Sequence, residues 1–384
     1  MKGIDQPIVL SGIRLSVVYS LHGDESFART RANEIIVEQT IEFPAELVKN
    51  ALIIEHIIGH IEDFKRISDN LFESRISYVI EETAFNLPQF LNVVYGNISM
   101  KTGIRVEKIL LPEELLAHYH GPRFGRKGIR DRIGVHRRPL IGSAIKPMGL
   151  PTSEHAQMAY DYALGGLDVI KDDHGLNDLP YSAFKDRVSR CTESIRSANA
   201  KTGYKTLYFP CIVAPFEKIL EFAHFAKQVG AGGLLVIPGL TGFDSMRMLA
   251  DQDDLDLPIM YHPAGQGSYF GSNESGFSKY AFFGQIMRLA GADAAIFPNF
   301  GGRFPITRQE CKEIADGSQE KMGDLKPIFP VPAGGLTFNL IPELIEVYGC
   351  DMLIIIGGGI HREGPDLVLN CRKLRDMFGK YEEE

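Results

Sequence analysis

The chain has 384 residues with 44% hydrophobic and 23% charged side chains, and its 41 Lys and Arg against 49 Asp and Glu give a formal charge of −8. The sequence has no long basic cluster, so it does not indicate a nucleic-acid-binding surface. No apolar run approaches the roughly 20 residues of a membrane-spanning helix. Five cysteines without metal-ligand spacing, in a chain that shows no secretory signal, indicate reduced thiols and a cytoplasmic protein.

The first third of the chain predicts a small α+β domain over residues 1–125, since two domains are expected at this length. Apolar and polar residues alternate as in strands, with helix-like segments between them, over residues 12–21, 34–43, 75–83 and 91–100. The segment 120–139 is rich in Gly, Arg and Pro, which indicates a linker or a contact segment.

After this segment the pattern changes to short apolar runs separated by amphipathic helical stretches. The eight runs are 140–145, 167–172, 206–213, 233–239, 258–264, 294–300, 327–335 and 352–359. Eight runs in roughly 245 residues match a (β/α)₈ barrel, whereas an open doubly wound sheet rarely has eight successive parallel strands. The expected fold class is therefore α/β, with a C-terminal (β/α)₈ TIM barrel over 126–384 that follows the α+β, ferredoxin-like domain.

Polar residues follow several of these runs. Lys146 follows the first run, residues 171–174 end the second, His262 lies in the fifth, and Asn299 ends the sixth, while glycine clusters end the seventh and eighth. Because barrel chemistry is carried by loops at the carboxyl ends of the strands, these side chains are expected to converge on one mouth.

The stretch GGLDVIKDDHGLND, residues 165–178, places charged side chains at the end of a buried run. In a strand Lys171 and Asp173 share one face, Asp172 points to the other, and His174 lies just beyond. An unpaired buried charge costs several kcal/mol, so a partner must hold these groups. Two interpretations are open: a structural salt bridge of Lys171 with an aspartate, or a lysine amine that has reacted with CO₂ and become an anionic metal ligand.

Several motifs together resemble the RuBisCO superfamily. GGLDVIKDDHG (165–175) resembles the large-subunit motif G-G-L-D-F-T-K-D-D-E, and GSAIKPMGL (142–150) resembles G-T-I-K-P-K-L-G-L. PVPAGGLTFNLIPEL (330–344) resembles P-V-A-S-G-G-I-H-V-W-H-M-P-A-L, and IIIGGGI (354–360) resembles L-Q-F-G-G-G-T. The likeness covers nearly the whole chain, which is identified as a RuBisCO-like protein of the non-carboxylating type IV class.

The resemblance implies a metal site. Lys171 matches the lysine that CO₂ converts to a carbamate, and Asp173 and His174 match the other protein ligands of a divalent metal. Mg²⁺ is the expected ion, but the family has glutamate where this chain has His174, and imidazole suits transition metals better. Metal ligation by His174 and a hydrogen-bonded loop histidine therefore remain alternatives.

Two further residues are implied to be catalytic. Lys146 matches the lysine that handles the proton on the carbon next to the substrate carbonyl, and its alternative is a solvated surface lysine. His262 matches a histidine of the fifth strand, and its alternative is a plain core histidine.

Three positions lack cations that the carboxylases have. Met148 stands for the second lysine of the first loop, Pro263 for an arginine of the fifth strand, and Asn299 for the lysine of the sixth loop. Arg303 lies too far along to count as a replacement, and Asn299 is otherwise a turn residue. Since arginine grips a phosphate with two hydrogen bonds, its loss favours a substrate with one phosphate and argues against CO₂ fixation.

The glycine clusters and the small domain complete the implied site. Glycine lets an anion approach backbone N–H groups, and barrels commonly bind phosphate after their last two strands, here at Ala333, Gly334, Gly335, Gly357, Gly358 and Gly359. Glu38 and Asn97 match a glutamate and an asparagine that reach the neighbouring subunit's active site, which implies a homodimer.

The resemblance implies a lyase or isomerase that enolises a phosphorylated keto sugar or sugar acid through a metal-stabilised enediolate, without CO₂ fixation. The first expectation is decarboxylation of a 3-oxo sugar acid phosphate of the 3-oxo-isoapionate 4-phosphate type. The alternatives are enolisation of 2,3-diketo-5-methylthiopentyl 1-phosphate and isomerisation of 5-methylthioribulose 1-phosphate. A non-catalytic relative that binds a sugar phosphate or a partner protein is a hypothesis of another class.

Overall fold

The computed structural model describes residues 10–379 and 381. In this part of the chain the strands are β1 (Arg14–His22), β2 (His60–Ser68), β3 (Leu71–Val79), β4 (Ile104–Leu110), β5 (Leu140–Ile145), β6 (Val169–Asp172), β7 (Leu207–Phe209), β8 (Cys211–Ile212), β9 (Leu234–Val236), β10 (Ile259–Tyr261), β11 (Gly276–Phe277), β12 (Ala294–Pro298), β13 (Phe329–Ala333) and β14 (Leu353–Ile355).

The helices are α1 (Glu25–Glu38), α2 (Leu87–Tyr95), α3 (Glu113–Leu116), α4 (Gly125–Ile133), α5 (Thr152–Leu164), α6 (Phe184–Thr202), α7 (Phe216–Val229), α8 (Pro238–Thr241), α9 (Phe243–Asp251), α10 (Gly267–Phe270), α11 (Met287–Leu289), α12 (Arg308–Gln319), α13 (Ile341–Tyr348), α14 (Gly358–His361) and α15 (Leu367–Asp376). Short 3₁₀ or π segments occupy Ala45–Leu47, Ile53–Ile57, Ile80–Thr83, Asn97–Met100, Tyr280–Ile286 and Phe338–Leu340. Over the described ranges, no helix is long and apolar enough to cross a membrane.

The first of two units contains the described residues up to Tyr119 together with Ser268–Phe282 and Met322–Asp324. Its sheet has the strand order β11-β4-β1-β3-β2, and β1 is antiparallel to both β3 and β4. Helix α1 packs on β1, β2 and β3. The chain order β1-α1-β2-β3-α2-β4 is that of ferredoxin-like domains, so the expected α+β class is confirmed.

The strand predicted at 34–43 is wrong, because this segment contains the end of α1. The β-branched run at residues 35–37 imitates a strand in the sequence. The buried side chains of the helix instead follow helical spacing, at Ala28, Ala32 and Ile35. Asp24 begins the helix by accepting the backbone N–H of Phe27 at 2.8 Å.

The strand predicted at 91–100 is also wrong, since α2 and a 3₁₀ turn occupy it. Asn86 caps α2 by accepting the N–H of Gln89 at 3.0 Å. Strands β2 and β4 were not predicted, and β2 is an edge strand with both faces largely exposed, so its sequence carries little alternation. Strand β1 agrees with the run at 12–21. Strand β3 overlaps the run at 75–83 only as far as Val79, because Ile80–Thr83 form a 3₁₀ turn.

The second unit contains His120–Gly267, Phe283–Lys321 and the described residues from Leu325 onward. Its strands fall in the eight predicted runs, with β7 and β8 on either side of Pro210. Parallel pairing gives the orders β14-β5-β6-β7 and β8-β9-β10-β12-β13, and β13 lies beside β14. This is the expected (β/α)₈ barrel, and its interior is filled by buried side chains that include Leu140, Val169, Phe209, Leu235, Met260, Phe329 and Leu353.

The interpretation of 120–139 as a linker is wrong, because this segment contains helix α4. Ile129 and Ile133 of α4 join the barrel core. Arg126 and Arg130 are buried and donate hydrogen bonds to backbone carbonyls just before β13 and β14. Two arginines of the segment therefore bind backbone groups at the amino ends of the strands.

Two buried aspartates join neighbouring barrel strands at their amino ends. Asp168, just before β6, accepts the N–H of Ile141 at 2.9 Å and two hydrogen bonds from Arg138 at 2.6 and 2.8 Å. Burial raises the pKa of Asp293, just before β12, to about 6, although backbone N–H groups oppose the rise. Asp293 accepts those N–H groups at 2.9, 2.6 and 2.7 Å from Ile259, Gly125 and Phe124.

We expect Asp293→Ala to lower the free energy of unfolding by roughly 3 kcal/mol or more, because three buried N–H groups lose their acceptor. Chemical denaturation followed by circular dichroism measures the change. Asp253→Ala is the control, since its carboxylate is 95% exposed and its loss should change stability by less than about 0.5 kcal/mol. Equal stability of the two variants would contradict this role for Asp293.

Candidate functional site

The carboxyl ends of β5, β6 and β10 bring five predicted side chains together. Lys146 follows β5, and its Nζ forms an ion pair with Oδ2 of Asp173. Nδ1 of His174 lies 3.2 Å from Oδ1 of the same carboxylate. The rings of His174 and His262 stack with centroids 4.7 Å apart. Lys171 precedes this group on β6, and its pKa depends on the charges of Asp173 and Lys146.

Lys171 is a buried amine, with only 4% of its surface exposed. Its Nζ donates a hydrogen bond to the backbone carbonyl of Asp172 at 3.0 Å. Burial lowers the pKa of Lys171 to about 8; the Asp173 carboxylate opposes this shift and the Lys146 ammonium adds to it. The lowered pKa makes the uncharged amine, which is the form that reacts with CO₂, more available near neutral pH than in an exposed lysine.

Asp172 lies on the opposite face of β6, as the strand alternation predicts. It is fully buried and accepts hydrogen bonds from the Tyr208 hydroxyl at 2.6 Å, the Cys211 N–H at 3.1 Å and Nε of Arg187 at 3.2 Å. Asp172 and Arg187 therefore form a fully buried salt bridge. Arg187 was not predicted from the sequence, and its signal there is an arginine between the buried Phe184 and Val188 of α6.

Asp173 remains a carboxylate despite its burial. Burial alone would raise the pKa of Asp173, but His174, Lys146 and the N–H of Gly175 hold it well below its usual range. The Gly175 N–H lies 3.0 Å from Oδ1. The site thus keeps an anionic oxygen donor next to Lys171 at any physiological pH.

His262 is a neutral imidazole. Burial, followed by the positive charges of Lys171 and His174, lowers the pKa of His262 well below its ordinary value. Its Nδ1 accepts the backbone N–H of Ala264 at 3.2 Å, which places the ring proton on Nε2. Nε2 of His262 therefore has a proton to donate, and the ring contacts His174.

The two glycine turns lie next to each other and next to Lys146. Gly334 and Gly335 both have φ of +97°, a backbone conformation that favours glycine. A Cβ atom on Gly359 would collide with the backbone carbonyl of Leu336, so the loops after β13 and β14 touch. A Cβ atom on Gly357 would lie 3.9 Å from Cδ of Lys146. The second turn therefore lies beside the side chain of Lys146.

The side chain of Asn299 binds the loop after β12 and the end of α13. It is fully buried, its Oδ1 accepts a hydrogen bond from the Tyr348 hydroxyl, and its Nδ2 donates to the Phe300 carbonyl at 2.6 Å. Its side chain fastens the loop after β12 to the end of α13.

Met148 is 45% exposed, and its Sδ and Cε occupy the space that a Cβ on Gly175 would need.

Glu38 and Asn97 belong to the first unit. Glu38 ends α1, and Nζ of Lys101 lies 3.6 Å from its Oε1. Gln39 was not predicted from the sequence, and its Oε1 accepts the Ile98 N–H at 3.1 Å. The Gln39 amide also donates to the Asn92 carbonyl at 2.7 Å. Gln39 thus joins the end of α1 to the segment that carries Asn97.

The donor set suits a divalent cation only when Lys171 is a carbamate. In the described ranges no group of three His, Cys, Asp or Glu side chains could hold a metal ion. Asp173 and His174 would supply two donors, and a carbamate on the buried Lys171 amine would supply the third. A divalent cation held in this way requires an ionised carboxylate and a lysine whose pKa is lowered. Asp173 and Lys171 meet these two requirements, so the residues present fit a divalent cation.

Comparison with known proteins identifies relatives of this chain. The sequence profile of the ribulose bisphosphate carboxylase large chain, catalytic domain, matches residues 125–303. A ribulose bisphosphate carboxylase-like protein of Rhodopseudomonas palustris is 32% identical over 354 residues, which are 92% of this chain and 94% of that protein. The crystal structure of a Rubisco-like protein from Rhodopseudomonas palustris superposes with a TM-score of 0.87 at 31% identity, covering 96% of this chain and 98% of that one.

Two relatives have names that state a reaction. A 5-methylthioribulose-1-phosphate isomerase of Rhodospirillum rubrum is 33% identical over 348 residues, 90% of this chain and 91% of that protein. A 2,3-diketo-5-methylthiopentyl-1-phosphate enolase of Geobacillus kaustophilus is 32% identical over 288 residues, 75% of this chain and 70% of that protein.

Proposed function

Because the chain belongs to the RuBisCO superfamily as a RuBisCO-like protein, we propose that it enolises a phosphorylated keto sugar without fixing CO₂. The observation that carries the proposal is the ion pair between Lys146 and Asp173 beside the buried Lys171. It places a half-exposed amine, able to exchange a proton with a substrate, next to the anionic group that the proposed metal site requires.

Each residue of the mouth has a separate task in this proposal. Lys146, whose side chain is 41% exposed, moves the proton on the carbon next to the carbonyl. His262 donates its Nε2 proton to a substrate oxygen, and the N–H groups of the two glycine turns bind the phosphate.

Lys171 as a carbamate, Asp173 and His174 would hold the divalent metal. When bound, such a cation polarises a carbonyl oxygen and stabilises the negative charge that follows proton removal. Mg²⁺ is the proposed ion, and a transition metal is the alternative because His174 supplies nitrogen.

For the substrate, we infer a five-carbon keto phosphate with a 5-methylthio group, of the kind named for the two relatives. The supporting contact is Met148, a partly exposed apolar side chain that packs on Gly175 beside the metal ligands. Next to Met148, an apolar end of the substrate would be favoured over a charged end. Decarboxylation of a 3-oxo-isoapionate 4-phosphate type substrate remains a prediction from the sequence.

A substrate panel tests the function. The protein, with Mg²⁺ and bicarbonate, is incubated separately with 5-methylthioribulose 1-phosphate, 2,3-diketo-5-methylthiopentyl 1-phosphate and 3-oxo-isoapionate 4-phosphate, and products are identified by NMR. Conversion of either methylthio compound supports the proposal. Conversion of the isoapionate compound alone would replace the inferred substrate, and conversion of none would favour the non-catalytic alternative.

We also propose a homodimer in which Glu38 and Asn97 serve the partner's barrel. If so, mixing inactive Lys171→Ala protein with inactive Asn97→Ala protein should restore about a quarter of the sites, because half of the dimers are mixed and each mixed dimer holds one intact site. Mixing Lys171→Ala with Asp173→Asn is the control and should restore none. An active monomer in sedimentation would refute the shared site.

A further inference from the structure

A buried histidine joins the loop that carries Lys146 to the loop that follows β6. His155 lies near the start of α5 and is fully buried. Its Nε2 lies 3.4 Å from the carbonyl oxygen of Pro147, the residue after Lys146, and its Nδ1 lies 3.1 Å from Oγ of Ser182. Ser182 is also fully buried and lies in the loop between β6 and α6. One imidazole therefore ties the two loops together.

The hydrogen bonds of His155 fix its tautomer. Burial lowers the pKa of His155, although the Pro147 carbonyl and the Asp172 carboxylate oppose the shift, so the ring is largely neutral near neutral pH. A carbonyl oxygen can only accept, so Nε2 carries the proton and donates it to Pro147, while Nδ1 accepts the Ser182 hydroxyl. The bridge therefore runs from the Ser182 hydroxyl through the ring to the Pro147 carbonyl.

Arg187 of α6 holds the Ser182 end of this bridge. Its Nη1 donates to the Ser182 carbonyl at 2.6 Å and to the Asn177 carbonyl at 2.8 Å, and its Nη2 donates to the Leu176 carbonyl at 3.3 Å. Because its Nε also binds Asp172 at the end of β6, Arg187 fixes the loop after this strand to the strand itself. The Pro147 carbonyl is thus tied, through His155, to a loop that a buried arginine holds in place.

We propose that His155 is a positioning residue for proton transfer by Lys146. By holding the Pro147 carbonyl against the loop after β6, it keeps Nζ of Lys146 at the Asp173 carboxylate. Proton transfer requires the amine within hydrogen-bond reach of the proton, and a displacement of about 1 Å can cost roughly 10²-fold in rate. The proposal rests on the proposed function, which assigns proton transfer to Lys146, but the placement of the amine can be measured without turnover.

Amine labelling measures this placement in the absence of substrate. Acetic anhydride labels the lysines of the intact protein, and mass spectrometry compares Lys146 with Lys312, an exposed amine paired with Asp316 at 3.2 Å. His155→Phe fills the space of the ring without its hydrogen bonds, so Lys146 should leave the carboxylate and react about two- to fivefold faster than in the wild type. His155→Gln, whose amide offers a donor and an acceptor, should restore nearly the wild-type rate.

Ser182→Ala tests the bridge from its other end. It removes the hydroxyl but keeps the backbone contact with Arg187, so it serves if thermal unfolding shows that His155→Phe is not folded. It should also raise the labelling rate of Lys146. Ser189→Ala is the matched control on α6, because the Ser189 hydroxyl donates to the Lys185 carbonyl of its own helix at 2.8 Å, and it should label like the wild type.

Turnover supplies the second readout, with the substrate of the panel that the wild type converts. His155→Phe should lower kcat by roughly 10- to 100-fold and change KM by less than about threefold, since the phosphate and the metal are bound by other groups. Unchanged labelling of Lys146 in both His155→Phe and Ser182→Ala would overturn the proposal, as would faster labelling with wild-type kcat.

The two readouts separate this proposal from the proposed function. Unchanged labelling together with wild-type turnover would reject the role of His155 and leave the proposed function standing. Faster labelling in the variants of a protein that converts none of the panel substrates would support the placement of Lys146 by His155 and reject the enzymatic function.

Discussion

Lys171→Ala is expected to reduce turnover by at least roughly 10³-fold and to weaken metal binding. Within the described mouth, Lys171 is the buried amine with a lowered pKa next to an ionised carboxylate. Its removal leaves Asp173 and His174, which are too few donors to hold a divalent cation firmly. Steady-state turnover and calorimetric titration with Mg²⁺ measure the two effects.

Lys185→Ala is the control for this experiment, because Lys185 lies on the surface of α6 in an exposed ion pair with Glu221. It should retain wild-type turnover and metal affinity. Thermal unfolding should confirm that Lys171→Ala is folded. Full activity of Lys171→Ala, or unchanged wild-type activity after rigorous removal of CO₂, would reject the carbamate assignment.

The second large effect is an absence of carboxylation. By the motif resemblance, Met148, Pro263 and Asn299 stand where carboxylases have cations. Asn299 is buried against Tyr348, so its side chain cannot supply the missing contact. Each lost charge-assisted contact typically costs about 2–4 kcal/mol, which together suppress the rate by many orders of magnitude even without strict additivity. We expect no fixation of CO₂ on ribulose 1,5-bisphosphate.

Labelled bicarbonate, supplied with ribulose bisphosphate and Mg²⁺, measures this directly. Acid-stable label should not exceed that of a sample without protein. A catalytic rate of labelling would show that the site holds two phosphates and a new carboxylate without the three cations, and the functional proposal would then be wrong.

The barrel could be predicted from the sequence because its strands are buried on both faces and appear as continuous apolar runs. The polar residues that end those runs, such as Lys146 and Lys171, were located for the same reason, since parallel strands bring their carboxyl ends together. The strand expected at 34–43 was wrong. Ile35, Ile36 and Val37 are β-branched, which favours a strand, but the segment belongs to an N-capped helix.

Contacts between distant segments could not be predicted. Nothing near Asp172 in the sequence shows that Arg187 is its partner, because α6 brings the two together only in the folded chain. In the same way, Arg303 was set aside on its spacing from Asn299, and only the return of the loop to Gly334 and Gly335 shows where it lies.

The central claim, proton transfer by Lys146 next to a carbonyl, is tested most directly by hydrogen exchange. The protein is incubated in D₂O with Mg²⁺, bicarbonate and 5-methylthioribulose 1-phosphate, and deuterium on the carbons next to the carbonyl is followed by NMR. We predict incorporation with the wild type and with Lys185→Met, and its loss with Lys146→Met. Equal incorporation with Lys146→Met, or none with the wild type on any compound of the panel, would contradict the account.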